Sequence, residues 1–195
     1  MKKMEALNHF MRWLDDEALE FEQRVMSYIQ VNQADIIDQF RTSFISVSKE
    51  VSNKQTNQRV EEISYVSYSI SYINFLTKQP LYLIEVFDKD WFFSHSIHEG
   101  VYDPSWLTDR LYKFYDNALK QHKKYVQKIN PVEVEKYMLL LLDRQIKHLM
   151  RIVQGILNEK DIAGVELKTN KLTITIGNYR GLFQTLYEEK VEKVI

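Results

Sequence analysis

The sequence predicts an α-dominated α+β domain, a helical bundle of about five or six helices with one or two short β-hairpins. Three observations predict it. Apolar residues recur at alternating steps of three and four through most of the first 160 positions, the spacing of one helix face. Five glycines and three prolines are too few for a many-turned all-β chain. After Gly164 the period shortens to two, as Leu172, Ile174 and Ile176 alternate with Thr173 and Thr175. At 195 residues the chain reads as a single domain, 1–195, with a mainly helical body over 1–160 and a hairpin and short helix over 161–195.

The first helix is expected over about residues 3–31. Met4, Leu7, Met11, Leu14, Ala18, Phe21, Val25 and Tyr28 form its stripe, and Asp15, Asp16, Glu17, Glu20 and Glu22 lie largely off it. Such a seam packs within a bundle or pairs with a second copy, so a homodimer through helix 1 is the alternative use. A second helix, 34–55, follows from Ile37, Phe40, Phe44, Val47 and Val51. Residues 60–77 fit a helix through Val60, Ile63, Val66, Ile70 and Ile73, with Glu61 and Glu62 in a favourable first turn. The same stretch also alternates like a strand, with Tyr68 and Tyr72 set against Ser67, Ser69 and Ser71; helix is the reading preferred over its full length.

Pro80 ends that element. Leu81–Phe87 and Trp91–Phe93, separated by Asp88-Lys89-Asp90, suggest a hairpin, and His95–Asp103 a loop. Asp103-Pro104 and Asn130-Pro131 each open a helix, because a capping side chain bonds free amides and proline at the first helical position wastes no donor. The second of these helices reaches about residue 158. Beyond it, Val165 and Leu167 should pair with 172–176 across a Lys168–Lys171 turn. Leu182, Phe183, Leu186, Tyr187 and Val191 suggest a closing helix.

Composition excludes whole classes of chemistry. Zero cysteine removes disulfides, a cysteine nucleophile and a thiolate zinc site. The longest apolar run, Met138–Leu142, is far short of the roughly 20 residues that span a bilayer, and none follows Lys2 and Lys3 as a signal peptide would require. A cytoplasmic protein without membrane contact is the expectation. His95, His98 and Glu99, with Asp88, Asp90 and Asp103 nearby, carry metal-ligand types, but their spacing is neither HExxH nor HxxEH. They support only a remote alternative, a metal-dependent hydrolase built on the 95–103 loop. Gly177-Asn-Tyr-Arg-Gly181 lies where a strand would meet a helix, and Arg180 suits an anion there, yet it lacks the Lys-Ser/Thr of a phosphate-binding loop. No nucleophile motif is present, so no catalytic residue and no cofactor are expected.

Charge is unevenly spread. Residues 1–62 hold eight cations against eleven acids, and 63–109 two against six. Residues 110–160 reverse this with eleven cations against five acids, and 161–195 balance. Lys120, Lys123 and Lys124 crowd one helix end, while Arg144, Lys147 and Arg151 share one face of the next. That basic stripe suits nucleic-acid phosphates as a second function, or acids within the chain or on a partner; the net charge of −1 favours the latter. Aromatics concentrate between Tyr82 and Trp106. Trp91, Phe92, Tyr102 and Trp106 are side chains of the kind that anchor protein interfaces, with a place in the core as the competing use. The run Tyr82–Phe93 followed by Tyr102–Trp106 has the look of bacterial proteins, and that resemblance implies no activity. The expected function is therefore non-enzymatic: a protein-binding module acting as adaptor, regulator or inhibitor.

Overall fold

A computed structural model describes residues 2–57, 62–125, 128–157 and 167–188, apart from the side chains of 151–157 and 170. Among these residues the chain forms four α-helices and one five-stranded mixed sheet. This is an α+β fold, but with fewer helices than the five or six expected and a sheet in place of isolated hairpins.

Two causes account for the difference. The first two expected helices run on as one element, α1 (Lys3–Thr56), but with a kink between them at Asn32, which leaves helical geometry at φ −112° and ψ 21°. The Asn32 side-chain amide donates to the Tyr28 carbonyl at 2.8 Å, which supplies a local bond where the helix is interrupted. Two expected helical stretches are instead extended. Residues 60–77 contain strand β1 (Ile63–Ile70) and a short helix α2 (Tyr72–Leu76), while 60 and 61 lie outside the described residues. The serine–aromatic alternation was the governing signal, because both faces of β1 are covered and the apolar period alone did not distinguish the two states.

Strand β2 (Tyr82–Phe87) does not turn back at Trp91–Phe93, which is a 3₁₀ turn. Its partner is β3 (His98–Tyr102), inside the expected loop. After α3 (Ser105–His122) and α4 (Pro131–Leu157) come β4 (Thr169–Asn178) and β5 (Phe183–Glu188). Lys168–Lys171 is thus not a hairpin turn, and the expected closing helix is β5 over its described part. Val165 and Val191 lie outside the described residues.

The chain divides into two compact units, Met1–Gln33 with Pro104–Lys147 and Ala34–Asp103 with His148–Ile195. The first is helical. The buried stripe of α1 here is Ala6, Phe10, Leu14, Ala18, Phe21, Val25 and Ile29, one position displaced from the expected one at both ends; Met4 is exposed. Phe21 meets Phe114 of α3 with ring centroids 5.4 Å apart, and the Tyr137 hydroxyl of α4 donates to Asp15 at 2.8 Å. Much of the seam is used inside this unit, while Met4 is exposed and Leu7, Met11 and Tyr28 of the expected stripe are half-buried. The Asn130 side chain accepts from the Val132 amide at 3.1 Å, the cap that Asn130-Pro131 implied.

The second unit holds the sheet, in the order β3-β2-β1-β4-β5. β1 and β4 run parallel and the other pairs antiparallel. Val66, Tyr68 and Ile70, with Ile84, Val86, Ile174 and Ile176, turn one face toward Phe40, Phe44, Val47 and Val51 of α1. Phe40 stacks on Tyr68 at 4.6 Å and meets Tyr102 edge-on at 5.6 Å. Gly100 permits this approach: a β-carbon there would lie 2.5 Å from a Val47 methyl. Gln55 clamps the entry to β4, donating to the Lys168 carbonyl at 2.8 Å and accepting its amide at 3.0 Å.

Candidate protein-binding face of the sheet

Pleating sends the alternate residues of each strand to the other face. There Ser67 lies across from Glu85 on one side and Thr175 on the other, with Glu99 beyond Glu85. Tyr65, Phe87, Leu83, Val101 and Phe183 share this face by the same alternation. At one end Asn74 of α2 lines a small cavity with Ser69 and Leu83. The 3₁₀ turn covers another part of the face.

That turn is built locally. The Asp88 carboxylate accepts from the Asp90 amide at 2.9 Å and from the Ser94 hydroxyl at 2.8 Å, which folds the chain back over the sheet. Trp91 then takes φ +49°, left-handed backbone that a bulky residue adopts only when its surroundings hold it. Here they do. The indole stacks on Tyr65 at 4.8 Å and 7°, and its N–H donates to the Ser67 oxygen at 3.1 Å. Phe92 stacks beside Trp91 at 4.8 Å, meets Phe183 at 5.1 Å and carries the Arg180 guanidinium 5.0 Å above its ring. Arg180 reaches it from the β4–β5 turn, itself at φ +55°. Gly177 enables that turn, because a β-carbon would fall within 2.1 Å of the Leu182 carbonyl oxygen.

Beneath the rings lies a polar floor. The Thr175 hydroxyl donates to Ser67 at 3.0 Å. Glu85 is only 3% exposed, and its Oε2 has no hydrogen-bond partner; the Ser69 hydroxyl is likewise unpartnered. Burial pushes the Glu85 carboxyl above its ordinary value, Arg180 pulls it back and Glu99 adds to the rise. Around this floor large apolar side chains reach solvent: Phe93 is 100% exposed, Leu182 86% and Val101 59%.

The other sequence candidates fall elsewhere. Tyr102 and Trp106 are buried, Tyr102 in the second unit and Trp106 in the first, where it stacks with Tyr28 at 6.3 Å. Of the four aromatics only Trp91 and Phe92 lie on the sheet face. Lys120, Lys123, Lys124, Arg144 and Lys147 are exposed, and the Arg151 side chain lies outside the described residues. Arg144 reaches Glu22 of α1 at 3.5 Å, an internal use of one stripe cation. His95 and Glu99 are exposed, and Glu99 accepts from the Ser96 hydroxyl at 2.7 Å. His98 Nδ1 lies 3.3 Å from the Lys54 ammonium. Burial, and then that ammonium, hold the imidazole below its ordinary value, against Glu50 and Glu99. A neighbouring ammonium repels a cation, which disfavours the metal alternative. Among the described residues no group of three or more His, Asp or Glu is placed to hold a metal ion. The Gly177–Gly181 segment is a hairpin turn that leads into β5 rather than a helix, so it offers no helix N-terminus to an anion.

Sequence reasoning missed Tyr65, Glu85, Arg180 and Phe183 as members of one surface. A lone glutamate inside the apolar run Tyr82–Phe87 was the available signal. The pairing of β1 with β4, about a hundred residues apart, was not readable from local pattern. Among the described residues no helix is long and apolar enough to cross a membrane. No family model, curated protein or solved structure matches this chain significantly.

Proposed function

We propose that this protein binds a protein partner through the aromatic turn packed over one face of its sheet, centred on Trp91, Phe92 and Phe93. The observation that supports the reading most is the fully exposed Phe93 beside stacked, half-buried Trp91 and Phe92. Aromatics concentrated in one patch with an arginine are the composition of interface anchors. Left-handed backbone at Trp91 is strain of the sort found where a side chain is held for recognition. The reading is non-enzymatic, and adaptor, regulator or inhibitor describe the same surface in use.

Phe93→Asp with Leu182→Asp tests it, because both side chains lie in solvent and neither supports the core. Affinity capture from cells that make the protein, compared by quantitative mass spectrometry, should recover a partner with the parent chain. The double variant should lose it at least about thirtyfold, the size of one interface hot spot, with an unchanged circular dichroism spectrum. Equal recovery by both chains sinks the reading.

A further inference from the structure

A cleft in the helical unit has a different chemistry and no role in the surface just described. Phe21 and Val25 of α1 and Phe114 of α3 form its floor, and Glu17, Arg24, Arg110, Lys113 and Asn117 its walls. All belong to the first compact unit. Its volume is about 420 Å³, within the range of sites that hold small organic molecules. Three cations and one acid surround an apolar floor, so the walls complement a negative charge attached to a nonpolar body. Bare inorganic anions would leave that floor unused, and neutral hydrocarbons would leave the cations without a partner.

The cations differ in readiness. Arg110 is fixed: its guanidinium lies 3.7 Å from the Tyr28 ring centre and donates to the Trp106 carbonyl at 2.7 Å. A guanidinium already ordered loses little freedom when a carboxylate arrives, and its remaining N–H groups stay available. Arg24 is held only by Glu20, one turn away, at 3.2 Å with both side chains well exposed. Such a pair is worth little and exchanges readily for a bound anion. Lys113 has no ion-pair partner among the described residues and completes the positive wall.

We infer that the cleft between α1 and α3 is a binding site for a small amphipathic anion, an acyl carboxylate whose chain lies on Phe21, Val25 and Phe114 and whose head meets Arg110, Arg24 and Lys113. The acyl chain gains by leaving water for the phenyl floor, and the carboxylate gains charge-assisted bonds at a partly desolvated mouth.

Decanoate, decylammonium and decanol, titrated into the full chain below their aggregation limits, test the assignment by calorimetry and amide chemical-shift mapping. Decanoate should bind and shift the amides of Phe21, Val25 and Phe114, with decanol weaker and decylammonium weakest. Arg24→Glu with Lys113→Glu, both at exposed positions, should weaken decanoate at least about tenfold and leave decanol unchanged. Equal affinity for the three heads, or shifts confined to other residues, would overturn it. So would capture by phosphatidylglycerol vesicles without any response to free decanoate, which would assign the same cations to a lipid surface.

Discussion

Glu85 stands where the pleat of β2 gives it a covered face and nothing to bond its second oxygen. Its folded proton affinity is raised, first by burial, so the folded chain holds this proton to higher pH than the unfolded chain does. The sign follows from linkage. Between the ordinary glutamate value, about 4.3, and the higher folded value, the folded state carries the extra proton, and stability falls as pH rises through that window. Above it the full cost of a buried charge remains. Glu85→Gln removes the charge and is expected to raise Tm at pH 7 by about 2–4 °C for each kcal/mol relieved, with no gain below about pH 4. Thermal melts of both chains across that range check it, and parallel curves at every pH would show that Glu85 carries no penalty. Nothing in local spacing foretold this. The sequence places one acid among Tyr82, Leu83, Ile84, Val86 and Phe87, but only strand pairing shows that Trp91 and Phe92 lie over the same face.

At the scale of elements, apolar period was informative for most helices and for β2 and β4, and misleading at β1. α4 starts at Pro131 behind the Asn130 cap, as local chemistry implied, whereas α3 starts at Ser105 with Pro104 itself at the cap position and no side-chain cap bond, so Asp103 does not stand at the cap as expected. β1 was misassigned because burial on both faces fills it with side chains that satisfy either period. In α4 the same habit hid a polar residue. Met138, Leu142, Gln145 and Leu149 follow four-three-four steps and are all buried, but apolar matching passes over Gln145 to Ile146. Gln145 is fully buried, and neither its amide nitrogen nor its oxygen has a partner. An unsatisfied buried polar group costs about 1–3 kcal/mol, so Gln145→Leu, similar in volume, is expected to stabilise the chain by that amount. Urea titration should show the midpoint rising with an unchanged slope. A lower midpoint would mean that the amide is satisfied in solution.

For the molecule as a whole, the near balance of 26 cations and 27 acids conceals a basic helical stretch, and its use decides between two functions. Structure draws part of that stretch inward: Arg144 reaches Glu22, and Arg110 is committed to Tyr28 and the Trp106 carbonyl. Lys120, Lys123, Lys124 and Lys147 are among the cations of this stretch that stay exposed, on a chain whose acids outnumber its cations by one. Nucleic-acid binding driven by phosphate contacts weakens steeply with salt, by a slope of roughly 0.9 per neutralised phosphate on duplex DNA. Four lysines would give a slope near 3.6 if all engaged, whereas a chain with a slight excess of acids holds no firm complex at physiological salt. The expected outcome for the parent chain is no shift of a random duplex at 150 mM salt, and only a faint one at 50 mM. Lys123→Glu with Lys124→Glu should then change nothing at the higher salt. A firm complex at 150 mM that this double variant abolishes would make the lysine cluster the working surface and displace the sheet face around Phe93.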